Sequence, residues 1–200
     1  MKETKHTKKQ TKGALTREKI VQTARNLFYR KGYDATSTAT IAKEVGVSEA
    51  ALYKYFKGKM KLLLATVKPE RLDFKEENEY LLLSDQELLH VWVEELVDTV
   101  FYNRLQYSIL FIESPKHPEL SEQYIANIHS MSFADKELMK RMDEGKLPKL
   151  DLILFQVGII GSLLAMVTHK RIYDHTLCLD QIPTDIRQTL IGIVEGKLFN

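Results

Sequence analysis

The sequence contains a single cysteine, Cys178, among its 200 residues. One thiol forms no internal disulfide and no cysteine-based metal site, so a reducing setting such as the cytoplasm is the simplest interpretation. The N-terminal stretch is rich in Lys and Thr and lacks the apolar segment of a secretory signal. The longest apolar run, Leu152 to Val167, contains Gln156 and falls short of a membrane span. These absences predict a soluble cytoplasmic protein that is not inserted in a membrane.

Motifs that carry enzymatic chemistry are also missing. The sequence has no nucleophile elbow, no phosphate-binding loop, no HExxH pair and no paired-carboxylate pattern. His90, His129 and His169 show no metal-ligand spacing such as i, i+4. We therefore predict that the protein is not an enzyme and uses no metal and no cofactor, with an all-α enzyme as the alternative.

The net charge of +2 conceals a strong asymmetry along the chain. Residues 1–68 carry 16 Lys and Arg against 5 Asp and Glu, a formal +11, whereas residues 69–200 carry 13 against 22, a formal −9. A basic segment suits the phosphate backbone of DNA, and an acidic segment would be repelled by it. RNA or an anionic lipid surface would also explain a basic end, but neither predicts the pair of helices found within it.

Two short helical segments lie inside the basic third. Ser37 to Val47 has a short apolar face, and Gly46 has the position of a left-handed residue that ends a helix. Ser48 to Phe56 begins with a capping serine, and Leu52 and Phe56 share one face of the second helix. This arrangement is typical of a helix-turn-helix unit, whose second helix enters the major groove of DNA. An ordinary helical hairpin in an all-α core is the alternative from spacing alone.

The segments on either side complete a small module. Residues 1–13 lack apolar periodicity and are predicted to form a disordered basic tail. Thr16 is the predicted cap of an amphipathic helix that closes at Gly32. A further helix is predicted to begin near Gly58 and to end or kink at Pro69.

The segment from Thr16 to Ala65 resembles the N-terminal DNA-binding domain of the TetR family of bacterial transcriptional regulators. The resemblance is carried by the I-x-x-x-A-x-x-L-F-x-x-x-G-Y helix (Ile20, Ala24, Leu27, Phe28, Gly32, Tyr33), the I-A-x-x-x-G-V-S turn (Ile41 to Ser48) and the L-Y-x-Y-F-x-x-K segment (Leu52 to Lys59). Ala50 and Ala51 stand where the family often has Gly and Thr, and Met60 stands where it often has an acid. These departures concern the operator sequence and not the family.

The resemblance implies an all-α fold with two parts. A three-helix helix-turn-helix DNA-binding domain would occupy residues 14–68, after the tail of residues 1–13, and a helical ligand-binding and dimerisation domain would occupy residues 69–200. A two-fold dimer would place two recognition helices in the half-sites of a pseudo-palindromic operator in double-stranded DNA.

Eleven residues are assigned to the duplex by resemblance and expected exposure. Glu49, Ala50, Ala51 and Lys54 are expected to face base edges, and Tyr53, Tyr55 and Lys59 to face phosphates, together with Ser37, Thr38 and Thr40 at the start of the second helix. Ser48, which opens the third helix, completes the set. Three alternatives stay open. Tyr53 could be partly buried against Ile41, Glu49 could only stabilise its own helix, and Lys59 could be merely solvated.

The remainder of the chain reads as a set of helices without a specific motif. Apolar periodicity predicts helices over Asp85 to Phe101, Leu105 to Ile112, Pro118 to Met142, Leu152 to Val167 and Pro183 to Leu198. The resemblance implies that the last two of these helices pair with their symmetry mates in a homodimer. A fully intramolecular core helix is the alternative for Leu152 to Val167.

Aromatic and Met residues of this part could line an effector cavity. The candidates are Trp92, Phe101, Tyr107, Phe111, Met131, Phe155 and Met166. The alternative is that each of them is an ordinary core residue. We therefore expect a repressor that an apolar or amphipathic small molecule releases from its operator, or, alternatively, a constitutive DNA-binding regulator without an effector.

Overall fold

The computed structural model describes residues 11–70, 72, 75–128, 132–176 and 180–198. Within these residues the chain forms eleven helices and no β-strand, which confirms the predicted all-α class. The helices are α1 (Lys12–Lys31), α2 (Thr38–Val45), α3 (Glu49–Tyr55), α4 (Lys59–Thr66), α5 (Glu77–Leu81), α6 (Asp85–Tyr102), α7 (Arg104–Glu113), α8 (Pro118–Ile128), α9 (Phe133–Asp143), α10 (Leu152–Tyr173) and α11 (Thr184–Leu198).

We call residues 11–70, which contain α1 to α4, the head, and the described residues from 75 onward the body. The head is built around an apolar cluster in which Ile20, Ile41 and Leu52 are fully buried. These three side chains come from α1, α2 and α3, so each helix contributes one face to a single small core. The chain leaves the head just after α4, and the predicted domain boundary between residues 68 and 69 stays a prediction.

The turn between α2 and α3 has the geometry that its sequence predicts. Ser37 and Ser48 cap the two helices, and their side-chain oxygens accept hydrogen bonds from the backbone N–H groups of Thr40 and Ala51. Gly46 ends α2 in the left-handed region with φ at 84°, where a residue with a Cβ would be strained. The capping interactions therefore fix both ends of the turn.

The first helix begins one turn earlier than predicted. Thr11, and not Thr16, is the cap, since its hydroxyl accepts the backbone N–H of Ala14 at 3.2 Å. The Thr16 hydroxyl instead donates to the Lys12 carbonyl inside the helix at 2.9 Å. The predicted tail of residues 1–13 is therefore too long by its last residues, and residues 1–10 lie outside the described part of the chain.

The single helix predicted from Pro118 to Met142 is wrong, because two helices, α8 and α9, cover this stretch. Ser132 is extended, with φ at −72° and ψ at 173°, and its side chain accepts the backbone N–H of Asp135. A serine in this conformation starts a new helix.

Helix α5 was not predicted, because it is only five residues long. It is held by a capping box between Glu76 and Glu79.

Helix α10 is six residues longer than the predicted run that ends at Val167. With 22 residues it is long and apolar enough to cross a membrane by length and composition alone, so the prediction that this segment falls short of a membrane span is wrong. Core helices of soluble proteins pass the same test. One side of α10 packs against α6, α7 and α11 through buried residues that include Ile160 and Leu163.

Helix α6 is the centre of the body, because it contacts α7, α9, α10 and α11. The head rests on the body through an apolar seam, since Ile109 and Leu110 of α7 and Leu120 of α8 are buried in the same cluster as the core of the head. The head therefore does not have a hydrophobic core of its own, because side chains of the body are part of the same cluster.

We predict that Leu52→Ala destabilises the protein by about 2–5 kcal/mol, because it removes a fully buried side chain from the head core. Leu15→Ala is the matched control, since Leu15 is a helical leucine that is 52% exposed, and it should change stability by less than about 0.5 kcal/mol. Urea unfolding followed by circular dichroism measures both. Equal losses for the two variants would contradict the assignment of Leu52 as the anchor of α3.

Candidate DNA-binding surface

Helix α3 is seven residues long and is anchored in the head by Leu52, which has no exposed surface. The neighbouring side chains Tyr53 and Lys54 are exposed, Tyr53 by 46%. Glu49 and Ala50 are exposed at the start of the helix, and Ala51 is half-buried. The helix therefore presents its outer face to solvent from a buried base.

Thr38 and Glu49 connect the first helix of the unit to the second. Thr38 is buried, and its hydroxyl donates to Oε1 of Glu49 at 2.5 Å. The same hydroxyl lies 3.4 Å from Oη of Tyr53. Glu49 is thus held against α2, and Thr38 fixes the orientation of α3 instead of facing solvent with its hydroxyl.

Three of the predicted DNA contacts lie exposed at helix N-termini. Ser37 and Thr40 share a hydrogen bond of 2.8 Å between their hydroxyls at the start of α2, and Ser48 lies at the start of α3. Free backbone N–H groups and the positive end of the helix dipole make such positions favourable for anions. The local geometry therefore suits phosphate oxygens.

Tyr55 and Lys59 are both half-buried. Tyr55 packs partly against the head core. The Lys59 ammonium lies 4.0 Å from the centroid of the Tyr33 ring, which is a cation–π contact. Lys59 is therefore not merely solvated, and its remaining N–H donors are still available because an ammonium has three.

Sequence reasoning missed two cations that hold this unit together. Lys19 of α1 donates to the backbone carbonyl of Val45 at 3.0 Å and so stabilises the C-terminal end of α2. Phe56 is the residue directly after α3, and the Arg17 guanidinium lies 4.8 Å from the centroid of its ring. No local pattern reveals these contacts, because Lys19 and Val45 are 26 residues apart.

The candidate effector residues of the body are not brought together as one set. Trp92 and Phe155 stack with ring centroids 5.4 Å apart, and burial raises the pKa of Tyr107 to about 12. Phe111, in contrast, is 39% exposed on α7. The full placement is that Trp92 and Phe101 are buried, Tyr107, Phe155 and Met166 are partly buried, Phe111 is on the surface, and Met131 lies outside the described residues.

A polar network adjoins the Trp92–Phe155 pair. The indole N–H of Trp92 and the amide of Gln156 both donate to Oδ1 of Asp135, at 2.7 Å and 3.0 Å. Asp135 is 5% exposed. Burial also raises the pKa of the nearby Glu95. The interior of the body thus contains hydrogen-bonding groups beside its aromatic side chains, and these groups were not among the predicted effector residues.

A groove of about 510 Å³ runs between α10 and α11. It is lined by Ala165, Met166, His169, Lys170, Asp185, Ile186 and Thr189. Met166 is the one candidate effector residue that lines this groove.

The outer side of α10 carries small and apolar residues in a regular repeat. Six of its exposed positions follow one another in alternating steps of four and three residues, and they are Leu154, Gly158, Gly161, Ala165, Thr168 and Ile172. A Cβ placed at either glycine would meet no other atom within 4 Å. This heptad spacing is the pattern that packs one helix against another, and the small residues permit a close approach. We call these six residues the α10 stripe.

Comparison with known proteins agrees with this architecture. The sequence profile described as bacterial regulatory proteins of the tetR family matches residues 20–66. The nucleoid occlusion factor SlmA of Vibrio cholerae is 32% identical over 186 residues, which is 91% of this chain and 81% of SlmA. The negative transcriptional regulator IcaR of the Staphylococcus aureus biofilm operon icaADBC is 26% identical over 139 residues, which is 66% of this chain and 72% of IcaR.

Among solved structures, Salmonella enterica GusR has the same fold, with a TM-score of 0.62 and 18% identity over 96% of this chain and all of GusR. Two HTH-type regulators of Bacillus subtilis match more strongly in identity, at 45% and 50%, but this chain spans only 17% and 16% of their length. The SlmA match covers most of both proteins, and the family profile covers the helix-turn-helix unit. The chain belongs to the TetR family of bacterial regulatory proteins.

Proposed function

We propose that the protein is a cytoplasmic, sequence-specific DNA-binding transcriptional regulator. The observation that carries the proposal is the geometry of α3, which is buried through Leu52 while Tyr53 and Lys54 are exposed on the surface of a basic head. A helix held in this way can enter a major groove. The acidic body would be repelled by the duplex, so the charge asymmetry favours an approach through the head.

The side chains proposed to contact DNA divide into two groups by chemistry. Lys54 can donate to guanine, and the methyl groups of Ala50 and Ala51 can contact thymine. Glu49 stands beside them with its carboxylate held by Thr38. The second group would contact phosphates and consists of Ser37, Thr40, Ser48, Tyr53, Tyr55 and Lys59. Thr38 belongs to the interface as a positioning residue.

We predict that DNA selected from a random library by the protein contains two inverted half-sites.

Lys54→Ala should change which bases are preferred, and the difference in binding free energy between the preferred base and another base should change by about 1–3 kcal/mol. Lys59→Ala should weaken binding to all sequences alike and lower the salt slope by about one. Fluorescence anisotropy at several salt concentrations measures both effects. Wild-type binding of selected and random DNA by both variants would contradict the docking arrangement.

A homodimer through α10 and α11 is the second part of the proposal. The α10 stripe is exposed, uncharged and regularly spaced, and Ile193 of α11 is 47% exposed. A second copy packed on this face would bury both surfaces and would supply the second recognition helix. A fully intramolecular α10 is the alternative.

We predict that Ala165→Arg, in the middle of the α10 stripe, converts the dimer to a monomer of 23.2 kDa, because a long cation cannot be accommodated between closely packed helices. Met139→Arg is the control, since Met139 is 41% exposed on α9 and lies off the stripe. Sedimentation velocity measures both variants. A monomeric wild type, or a dimeric Ala165→Arg variant, would contradict the interface.

Regulation by a small molecule is the third part of the proposal. IcaR is a negative transcriptional regulator, which supports repression as the mode of action here. The interior of the body offers the Trp92–Phe155 pair next to the carboxylate of Asp135. We propose an apolar or amphipathic effector in this region. The packing of Trp92 directly on Phe155 is the observation that favours the alternative, a constitutive regulator without an effector.

A screen of metabolites and drugs by thermal unfolding separates these alternatives. A ligand at about a hundred times its dissociation constant should add about 2.7 kcal/mol to the free energy of unfolding. Trp92 is the only tryptophan, so its fluorescence should change with the same ligand. Phe155→Leu should weaken binding, whereas Phe111→Leu at the exposed position should not. A screen without any stabilising compound would favour the constitutive regulator.

A further inference from the structure

The chain passes from the head to the body just after α4, and a buried asparagine of the body holds this passage. The backbone N–H of Glu70 donates to Oδ1 of Asn103 at 2.7 Å, and the Glu70 carbonyl accepts from Nδ2 of Asn103 at 2.9 Å. Asn103 has no exposed surface and lies between α6 and α7. Its amide therefore pairs with the backbone of Glu70 as a neighbouring strand would.

The side chain of Glu70 is held from two directions. One carboxylate oxygen accepts from Nη1 of Arg25 in α1 at 3.0 Å, and the other accepts from the hydroxyl of Tyr102, the last residue of α6, at 2.9 Å. Arg25 also donates from Nε to the carbonyl of Thr66, the last residue of α4, at 2.9 Å. Glu70 thus joins the head to the C-terminal end of α6.

We call Arg25, Glu70, Tyr102 and Asn103 the Glu70 clasp. The Arg25 side chain is 12% exposed and that of Glu70 is 44% exposed. Separating the parts would break the two bonds between the Asn103 amide and the Glu70 backbone and leave Nδ2 with the Thr99 carbonyl, and the loss of hydrogen bonds by a buried amide is costly. The clasp therefore favours one orientation of the head on the body.

The position of the clasp connects it to the interior of the body. Helix α6 contacts α9, α10 and α11 along its length, and Trp92 lies on the same helix. Tyr102 and Asn103, at the C-terminal end of this helix, are the residues of the body that hold Glu70.

We infer that Glu70 is a positioning residue whose carboxylate, held by Arg25 of the head and Tyr102 of the body, keeps the head in one orientation on the body. The expected effect on DNA binding rests on the proposed function. The fixed orientation of the head on the body does not. Glu70→Ala should therefore loosen the head while leaving both parts folded.

The first test measures the orientation directly. Spin labels at Lys43→Cys in α2 and Lys136→Cys in α9, in a Cys178→Ser background, report the distance from head to body within one chain. Labelled protein diluted with an excess of unlabelled protein suppresses distances between protomers. Glu70→Ala should broaden the distance distribution without lowering Tm. Glu144→Ala is the matched control, because it removes a carboxylate from an exposed ion pair with Lys146 in the body.

The second test measures the consequence for DNA. Glu70→Ala should weaken binding to the selected two-half-site DNA by about tenfold, because the two heads are no longer held in register, and should leave binding to random DNA unchanged. Tyr102→Phe should weaken it less. The double variant should be no worse than Glu70→Ala, since both changes remove the same interaction.

Two outcomes would overturn the inference. The first is an unchanged distance distribution in Glu70→Ala, whether or not Tm is lower. The second is a broadened distribution with wild-type affinity for the selected DNA. If the wild-type protein selected no DNA sequence, the proposed function would fail instead. The distance measurement would still decide whether the clasp fixes the head.

Discussion

The burial of Leu52 in the head core is the interaction that holds the recognition helix α3 in place. A helix of seven residues is unstable alone in water, so α3 exists because this leucine is held in a cluster with Ile20 and Ile41. Since one narrow stripe is sufficient for anchoring, the other side chains of α3 are free to face a ligand. The caps at Ser37 and Ser48 then set where each helix begins.

The same constraint extends from the head to the body. The floor of the head core includes Ile109, Leu110 and Leu120, which belong to α7 and α8, so the recognition helix is supported by the part of the chain that would bind an effector. Helix α6 runs through the body and ends at the Glu70 clasp. An apolar seam and a polar clasp thus act in parallel, and both relate the orientation of the head to the packing of the body.

The head was largely predictable because its signals are local. A capping serine, a left-handed glycine and a four-residue spacing of apolar side chains each act within one or two turns, and Ser48, Gly46 and Leu52 take the predicted positions. The bond from Thr38 to Glu49 spans eleven residues and depends on how two helices pack, so no pattern revealed it. In the body, an apolar repeat continued past Ser132, where the capping geometry starts a new helix, and residue type alone did not separate the buried Trp92 from the exposed Phe111.

Affinity cleavage of bound DNA shows where α3 lies on the duplex. An iron chelate attached at Lys54→Cys, in a Cys178→Ser background, would cut DNA wherever the outer face of α3 lies. We expect two symmetric clusters of cuts on the selected DNA, separated by about one helical turn or a multiple of it. The same chelate at Lys136→Cys in the body should give no such clusters. Uniform cutting from both positions, or clusters only from the body, would contradict the claim that α3 enters the groove.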